Sequence, residues 1–229
     1  MSVEQIELHH LPEWLRRLAE AARGVNATDL SRFLPPEEGG RESAVLILFG
    51  DGPDGPDVLV IQRAAEMRSH PGQPAFPGGA CDADDADAVA TAIREAEEET
   101  GLDAEGVEIV AILPPLWLPP SGFVVTPVLA WWRDPSAVHA ADPNEVASVA
   151  RVPIAELADP ANRYRVKHPS GIQGPAFDVD GMLIWGFTGG LLDRLIQLGG
   201  WEQPWDSERF VDIPPPYGSG RPVSTRRER

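Results

Sequence analysis

A single cysteine, Cys81, stands among the 229 residues, so no intrachain disulfide framework and no cysteine-based zinc site can form. Cations are scarce too: 19 Lys plus Arg face 36 Asp plus Glu, a formal net charge of −17. A field of that sign repels polyanions and argues against a nucleic-acid-binding surface. An anionic small substrate would need a local correction, from metal ions or clustered arginines. No apolar run approaches membrane-spanning length. The start, Met1-Ser2-Val3-Glu4-Gln5, lacks the basic-then-apolar pattern of a signal peptide. A soluble cytoplasmic protein with no membrane partner is the expectation. The five histidines, at 9, 10, 70, 139 and 168, show no ligand spacing. Ser121-Gly122 is no nucleophile elbow, and no Ser-His-Asp order stands out.

What is present is enough for a folded domain. Hydrophobic residues make up 42% of the chain, while 22 Gly and 24 Pro imply many turns. Residues 11–34 read as helical, with Leu11, Trp14, Leu15 and Leu18 at helical spacing. Pro35-Pro36-Glu37-Glu38-Gly39-Gly40 breaks the chain. Ala44–Phe49 and Val58–Arg63 flank a Gly/Pro turn and read as a hairpin. Further strand-like runs lie at Val107–Leu113, Val124–Trp131 and Ala147–Val152, with a hairpin at Phe177–Ile184 on an Asp-Gly turn. Leu191, Leu192, Leu195, Ile196 and Leu198 mark a late helix. The mixture predicts an α+β chain: a mixed β-sheet with mostly antiparallel connections and helices packed outside.

Asp87–Thr100 reads as a helix stopped by Gly101. Val89, Ala92, Ile93 and Ala96 form its apolar stripe. Glu95, Glu98 and Glu99 share an adjacent stripe, and Glu97 points away, nearer Arg94. Like charges one turn apart cost roughly 0.2–0.5 kcal/mol per pair. Glutamates near a helix C-terminus also oppose the dipole. A divalent cation, Mg²⁺ or Mn²⁺, would remove both penalties. The plain alternative is a solvated acidic face. Upstream, Arg63 and Arg68 stand on either side of a short loop, and the polar stretch that follows ends in Phe76-Pro77-Gly78-Gly79. Guanidinium groups suit phosphate oxygens, although surface arginines commonly pair with carboxylates. Gly78 and Gly79 allow close backbone approach.

Arg94-Glu95-Ala96-Glu97-Glu98-Glu99-Thr100-Gly101-Leu102 resembles the second half of the Nudix box. That motif runs Gly, five residues, Glu, seven residues, then Arg-Glu-apolar-any-Glu-Glu-any-Gly-apolar. Here Asp85 stands where the first glutamate is expected, and the spacing to Arg94 is one residue longer. Leu59-Val60-Ile61-Gln62-Arg63-Ala64, Arg68, Gly72 and Phe76-Pro77-Gly78-Gly79 resemble the signature of the coenzyme A pyrophosphatase-like branch of that family. Ser121–Val128 and Trp185–Gly189 extend the likeness to roughly residues 43–200.

The resemblance implies a Nudix-like α/β/α sandwich over 41–200; an N-terminal helical extension at 1–40 and a Pro/Arg-rich tail at 201–229 lie outside it. It implies Mg²⁺-dependent (or Mn²⁺-dependent) hydrolysis of the pyrophosphate bond of coenzyme A or its derivatives. Glu95 and Glu99 would be the leading metal ligands, then Glu98, with the Gly79 carbonyl adding an oxygen. Arg94 would hold a carboxylate in place. Glu98 is one candidate general base and Glu145 another. Arg63, Arg68, Gly78 and Phe76 would meet the substrate, and His70 lies in the same loop. A homodimer rests on analogy. Other substrates remain open at this point: ADP-ribose, a dinucleotide, or a nucleoside triphosphate. So does a non-catalytic nucleotide-binding module of the same fold.

Overall fold

A computed structural model describes residues 8–67, 70–119, 121–168 and 171–213. Arg68 lies outside these residues, as does the Arg-rich end of the chain. Helix α1 covers Glu13–Ala22 and a short α2 covers Ala27–Leu30. Strands β1 (Arg41–Gly52) and β2 (Gly55–Arg63) are long. Two short strands, β3 (Pro74–Ala75) and β4 (Gly78–Ala80), lead to α3 (Ala88–Thr100). Then come β5 (Val107–Ile112), β6 (Leu116–Leu118), β7 (Phe123–Trp132), β8 (Val146–Pro153) and α4 (Ile154–Ala158). The described chain closes with β9 (Arg163–Lys167), β10 (Gln173–Val179), β11 (Met182–Ile184), α5 (Gly186–Gly199) and β12 (Phe210–Val211).

The larger sheet runs β3-β2-β1-β7-β5, with β4 on the start of β1, β6 on β7 and β8 on β2. Its centre is the parallel β1–β7 pair, and the other pairs are antiparallel. The second sheet runs β11-β10-β9-β12. Its β10–β11 hairpin turns on Asp180 (φ 51°) and Gly181 (φ 79°), the positive-φ pair a two-residue turn demands.

Alternation along β1 separates two layers. Leu46 and Leu48 pack with Leu59, Val128 and the Ala92–Ala96 face of α3. Ile47 and Phe49 point the other way, to Leu11, Leu15 and Leu18 and to Leu191 and Leu195 of α5. Burying each leucine contributes roughly 1.5–3 kcal/mol. The N-terminal helix therefore belongs to the central core. It does not run unbroken over 11–34. Asp29 accepts from the Asn26 N–H at 2.8 Å and starts a separate turn at α2. Among the described residues no helix is long and apolar enough to cross a membrane.

Candidate functional site

Local chemistry sets both ends of α3. The Asp87 carboxylate accepts from the N–H groups of Val89 and Ala90, each at 3.0 Å. Gly101 closes the helix at φ 66°, donating to the Glu97 carbonyl at 2.9 Å. Ala92 and Ala96 are fully buried against the sheet. This fixes the helix rotation, and with it the direction of the glutamates.

The four glutamates then have unequal surroundings. Glu99 is 4% exposed and accepts from the Gly78 N–H at 2.9 Å. Glu95 is half-buried against Gly79, where an added Cβ would lie 2.5 Å from its carboxylate. Both carboxylates therefore flank the Gly78-Gly79 edge. Glu98 stands at the rim, with its side chain 61% exposed. Glu97 is exposed, as its helical position predicts.

Arg94 organises this face. Its Nη1 lies 3.0 Å from Glu95 Oε1 and 3.1 Å from Glu98 Oε2. Its other edge meets Asp85 in a two-point contact, Nε to Oδ1 and Nη2 to Oδ2, each at 3.0 Å. Nη2 also reaches the Ala80 carbonyl at 3.2 Å. Asp85 is itself fixed by the Thr91 hydroxyl and the Asp82 N–H, both at 2.9 Å. The Arg94 guanidinium holds the Asp85 carboxyl well below the usual carboxylate range. The departure from the motif at Asp85 thus has a local role, in fixing Arg94. Spacing alone gave no sign of it.

Burial acts on Glu99 and Glu95 in the opposite direction. Desolvation pushes Glu99 up to about 7, against the Gly78 hydrogen bond and the Arg63 charge, which lower it. Desolvation also raises Glu95, with Arg94 opposing. The charge of Glu145 raises both. Glu145 is exposed, in the turn before β8, and its carbonyl accepts from the Ala64 N–H at 2.8 Å. That contact ties its turn to the end of β2, on the same side as the acidic helix.

The loop before the helix is brought partly to this face. Arg63 Nη1 is 4.0 Å from Glu99 Oε1, and Arg63 Nε is buried with no hydrogen-bond partner among the described residues. Phe76 differs from the expectation of a substrate contact: it is 2% exposed and packs in the central core, so its ring offers no open surface. Hydrophobic burial claims it because β3 and β4 run along the core edge. His70 is half-buried (φ 51°), its Nδ1 3.0 Å from Gln73 Oε1. Leu116 is core.

The donor set fits a hard divalent cation: two carboxylates with little water around them, beside a glycine strand that approaches both closely. Positive charge there would offset the desolvation that raises both groups. Among the described residues no three acidic, histidine or cysteine side chains yet stand together as a metal-holding group. Glu95 and Glu99 are in place, and Arg94 holds Glu98 outward.

A NUDIX domain family model matches residues 40–170. The uncharacterized Nudix hydrolase NudL of Enterobacter sp. (strain 638) is 40% identical over 167 residues, 69% of this chain and 83% of that one. Its counterpart in Citrobacter koseri is 40% identical over 197 residues, 82% of this chain and 95% of that one. In three dimensions the chain is similar to RenU, a Nudix hydrolase from M. smegmatis, with a TM-score of 0.51 at 20% identity, covering 76% of this chain and 98% of that one. The Arg94-anchored acidic helix lies inside the matched span, and the chain belongs to the Nudix hydrolases, pyrophosphatases that generally use divalent metal ions.

Proposed function

We propose that this chain hydrolyses the pyrophosphate bond of coenzyme A or a derivative, releasing 3′,5′-ADP and 4′-phosphopantetheine or its acyl form. The observation that carries the reaction is Glu99, a nearly buried carboxylate with one backbone donor, beside Glu95 on the Gly78-Gly79 edge. In this reading Glu95 and Glu99 hold Mg²⁺ or Mn²⁺, the Gly79 carbonyl adds an oxygen, and Glu98 joins on leaving Arg94. When bound, the ion neutralises charge on the diphosphate and acidifies a water. Arg94 positions Glu95, and Asp85 positions Arg94. Glu98, exposed at the rim, is the first choice to take the proton of the attacking water. Glu145 is the alternative, because its charge already acts on Glu95 and Glu99.

The choice of substrate rests on the preceding loop. Arg63 has an unpartnered buried Nε and a guanidinium edge beside the acidic face, suited to a diphosphate oxygen. Arg68, assigned from sequence alone, would take the 3′-phosphate. Gly78 and Gly79 let the diphosphate approach the backbone, and Phe76 anchors the loop from the core. The test is a Mg²⁺ assay offering coenzyme A, ADP-ribose, a dinucleotide and a nucleoside triphosphate to the same preparation. Coenzyme A should have the largest kcat/KM. A larger value for any other member would remove the assignment of substrate.

A further inference from the structure

In a chain with 19 cations against 36 carboxylates, arginines without an acidic partner are notable. Arg32 and Arg165 are two of these, and they line one open groove of about 700 Å³ together with Phe33, Ile172 and Gln173. That volume lies within the roughly 300–1,000 Å³ of ligand pockets. The Arg32 guanidinium lies over the Phe33 ring at 4.9 Å, and that of Arg165 over Phe210 at 5.6 Å. Neither makes an ion pair or a side-chain hydrogen bond among the described residues. Stacking engages only the flat face of a guanidinium and leaves its N–H edge free for an anion.

Strand pairing adds to this. Arg165 and Lys167 stand two apart on β9 and share a face. Gln173 is the cross-strand partner of Lys167. Ile172 and Phe210 are 45% and 47% exposed, large apolar side chains beside the cations. The lining comes from the segment after α2, from β9 and from the start of β10. None of these supplies the acidic helix or the Gly78-Gly79 edge.

We propose that this groove is a second site, for a nucleoside monophosphate. The phosphate lies between Arg32 and Arg165, which can each donate two parallel N–H groups. The base lies against Phe33 and Ile172, with the Gln173 amide at its polar edge. Charge complementarity selects the anion, and the apolar rim selects a ligand with a flat ring over bare phosphate. The site is independent of whichever substrate the acidic helix cleaves.

Calorimetric titration of the full chain in EDTA, which removes metal-assisted phosphate binding at the acidic helix, tests this. The probes are AMP, adenosine and inorganic phosphate. AMP should bind at least about 10-fold more tightly than either fragment, since each lacks half of the contacts. Arg32→Ala with Arg165→Ala should weaken AMP by about 10-fold or more. Arg32→Ala with Arg165→Gln, which keeps a β9 side chain of similar length, should do the same if the first pair perturbs the strand. Mg²⁺-dependent hydrolysis should be unchanged in both. No AMP binding, phosphate binding as tightly as AMP, or equal AMP affinity in the variants would each overturn the site. The titration uses no substrate, so failure of the coenzyme A assignment leaves it unaffected.

Discussion

Replacing Glu99 with Gln separates the cost of a buried charge from the use of that charge. In the metal-free protein the carboxyl titrates near 7 instead of 4.5, because burial disfavours the ionised form. A displacement of that size corresponds to about 3 kcal/mol. The sign follows from linkage. Between pH 4.5 and 7 the folded state binds more protons than the unfolded state, so this group's contribution to stability is lost as pH rises through about 7. The amide carries no charge and still accepts from the Gly78 N–H. The charge assistance of that bond is already contained in the net displacement. At pH 8 in EDTA, Glu99→Gln should therefore be more stable than the natural chain by about 3 kcal/mol, and at this chain length its Tm should be about 6–12 °C higher. At pH 5 the two should melt nearly together. Added Mg²⁺ should raise the Tm of the natural chain and leave the variant unmoved. Scanning calorimetry at the two pH values, with and without Mg²⁺, reads all four outcomes. A variant less stable than the natural chain at pH 8, or equally stabilised by Mg²⁺, would refute the placement of a desolvated, metal-holding carboxylate at Glu99.

Asp85→Asn should weaken the two-point hold on Arg94 and lower kcat by about 10-fold with KM little changed, as steady-state kinetics would show. Gly79→Ala would put a methyl group 2.5 Å from the Glu95 carboxylate, so hydrolysis should fall by about 100-fold while circular dichroism stays the same. Phe76→Ala should cost about 3–5 kcal/mol in urea unfolding, since the ring is core. Arg68→Ala should raise KM for coenzyme A more than for its analogue without the 3′-phosphate; equal effects would take that phosphate away from Arg68.

The acidic helix was legible because its signals are local. Asp87, the alanine stripe and Gly101 define it from within, and helical geometry sets Glu97 apart from the other three. The Asp-Gly hairpin was legible for the same reason. Depth was not. Glu98 and Glu99 are neighbours on the helix, yet one is at the rim and the other is nearly sealed, because β4 lies alongside only one of them. The Asp85–Arg94 contact joins a loop to a helix, so no periodicity reports it. Phe76 sits in a signature loop, which points to a substrate contact, but tertiary packing turns it inward. Arg32 and Arg165 line one groove only because the second sheet lies beside the segment after α2. The first helix ends at Ala22, and the separate turn that starts at Asn26 depends on the Asp29 side chain reaching back to a backbone N–H.

Cation-dependent cleavage of the coenzyme A diphosphate on the Glu95–Glu99 face would leave its trace in the products. The most direct measurement is mass spectrometry of the products from coenzyme A in Mg²⁺ and ¹⁸O-labelled water, for the natural chain and for Glu99→Gln. The expected products are 3′,5′-ADP and 4′-phosphopantetheine, one of them carrying a single ¹⁸O, with none from the variant. Intact coenzyme A in the natural chain, or undiminished turnover by Glu99→Gln, would contradict it.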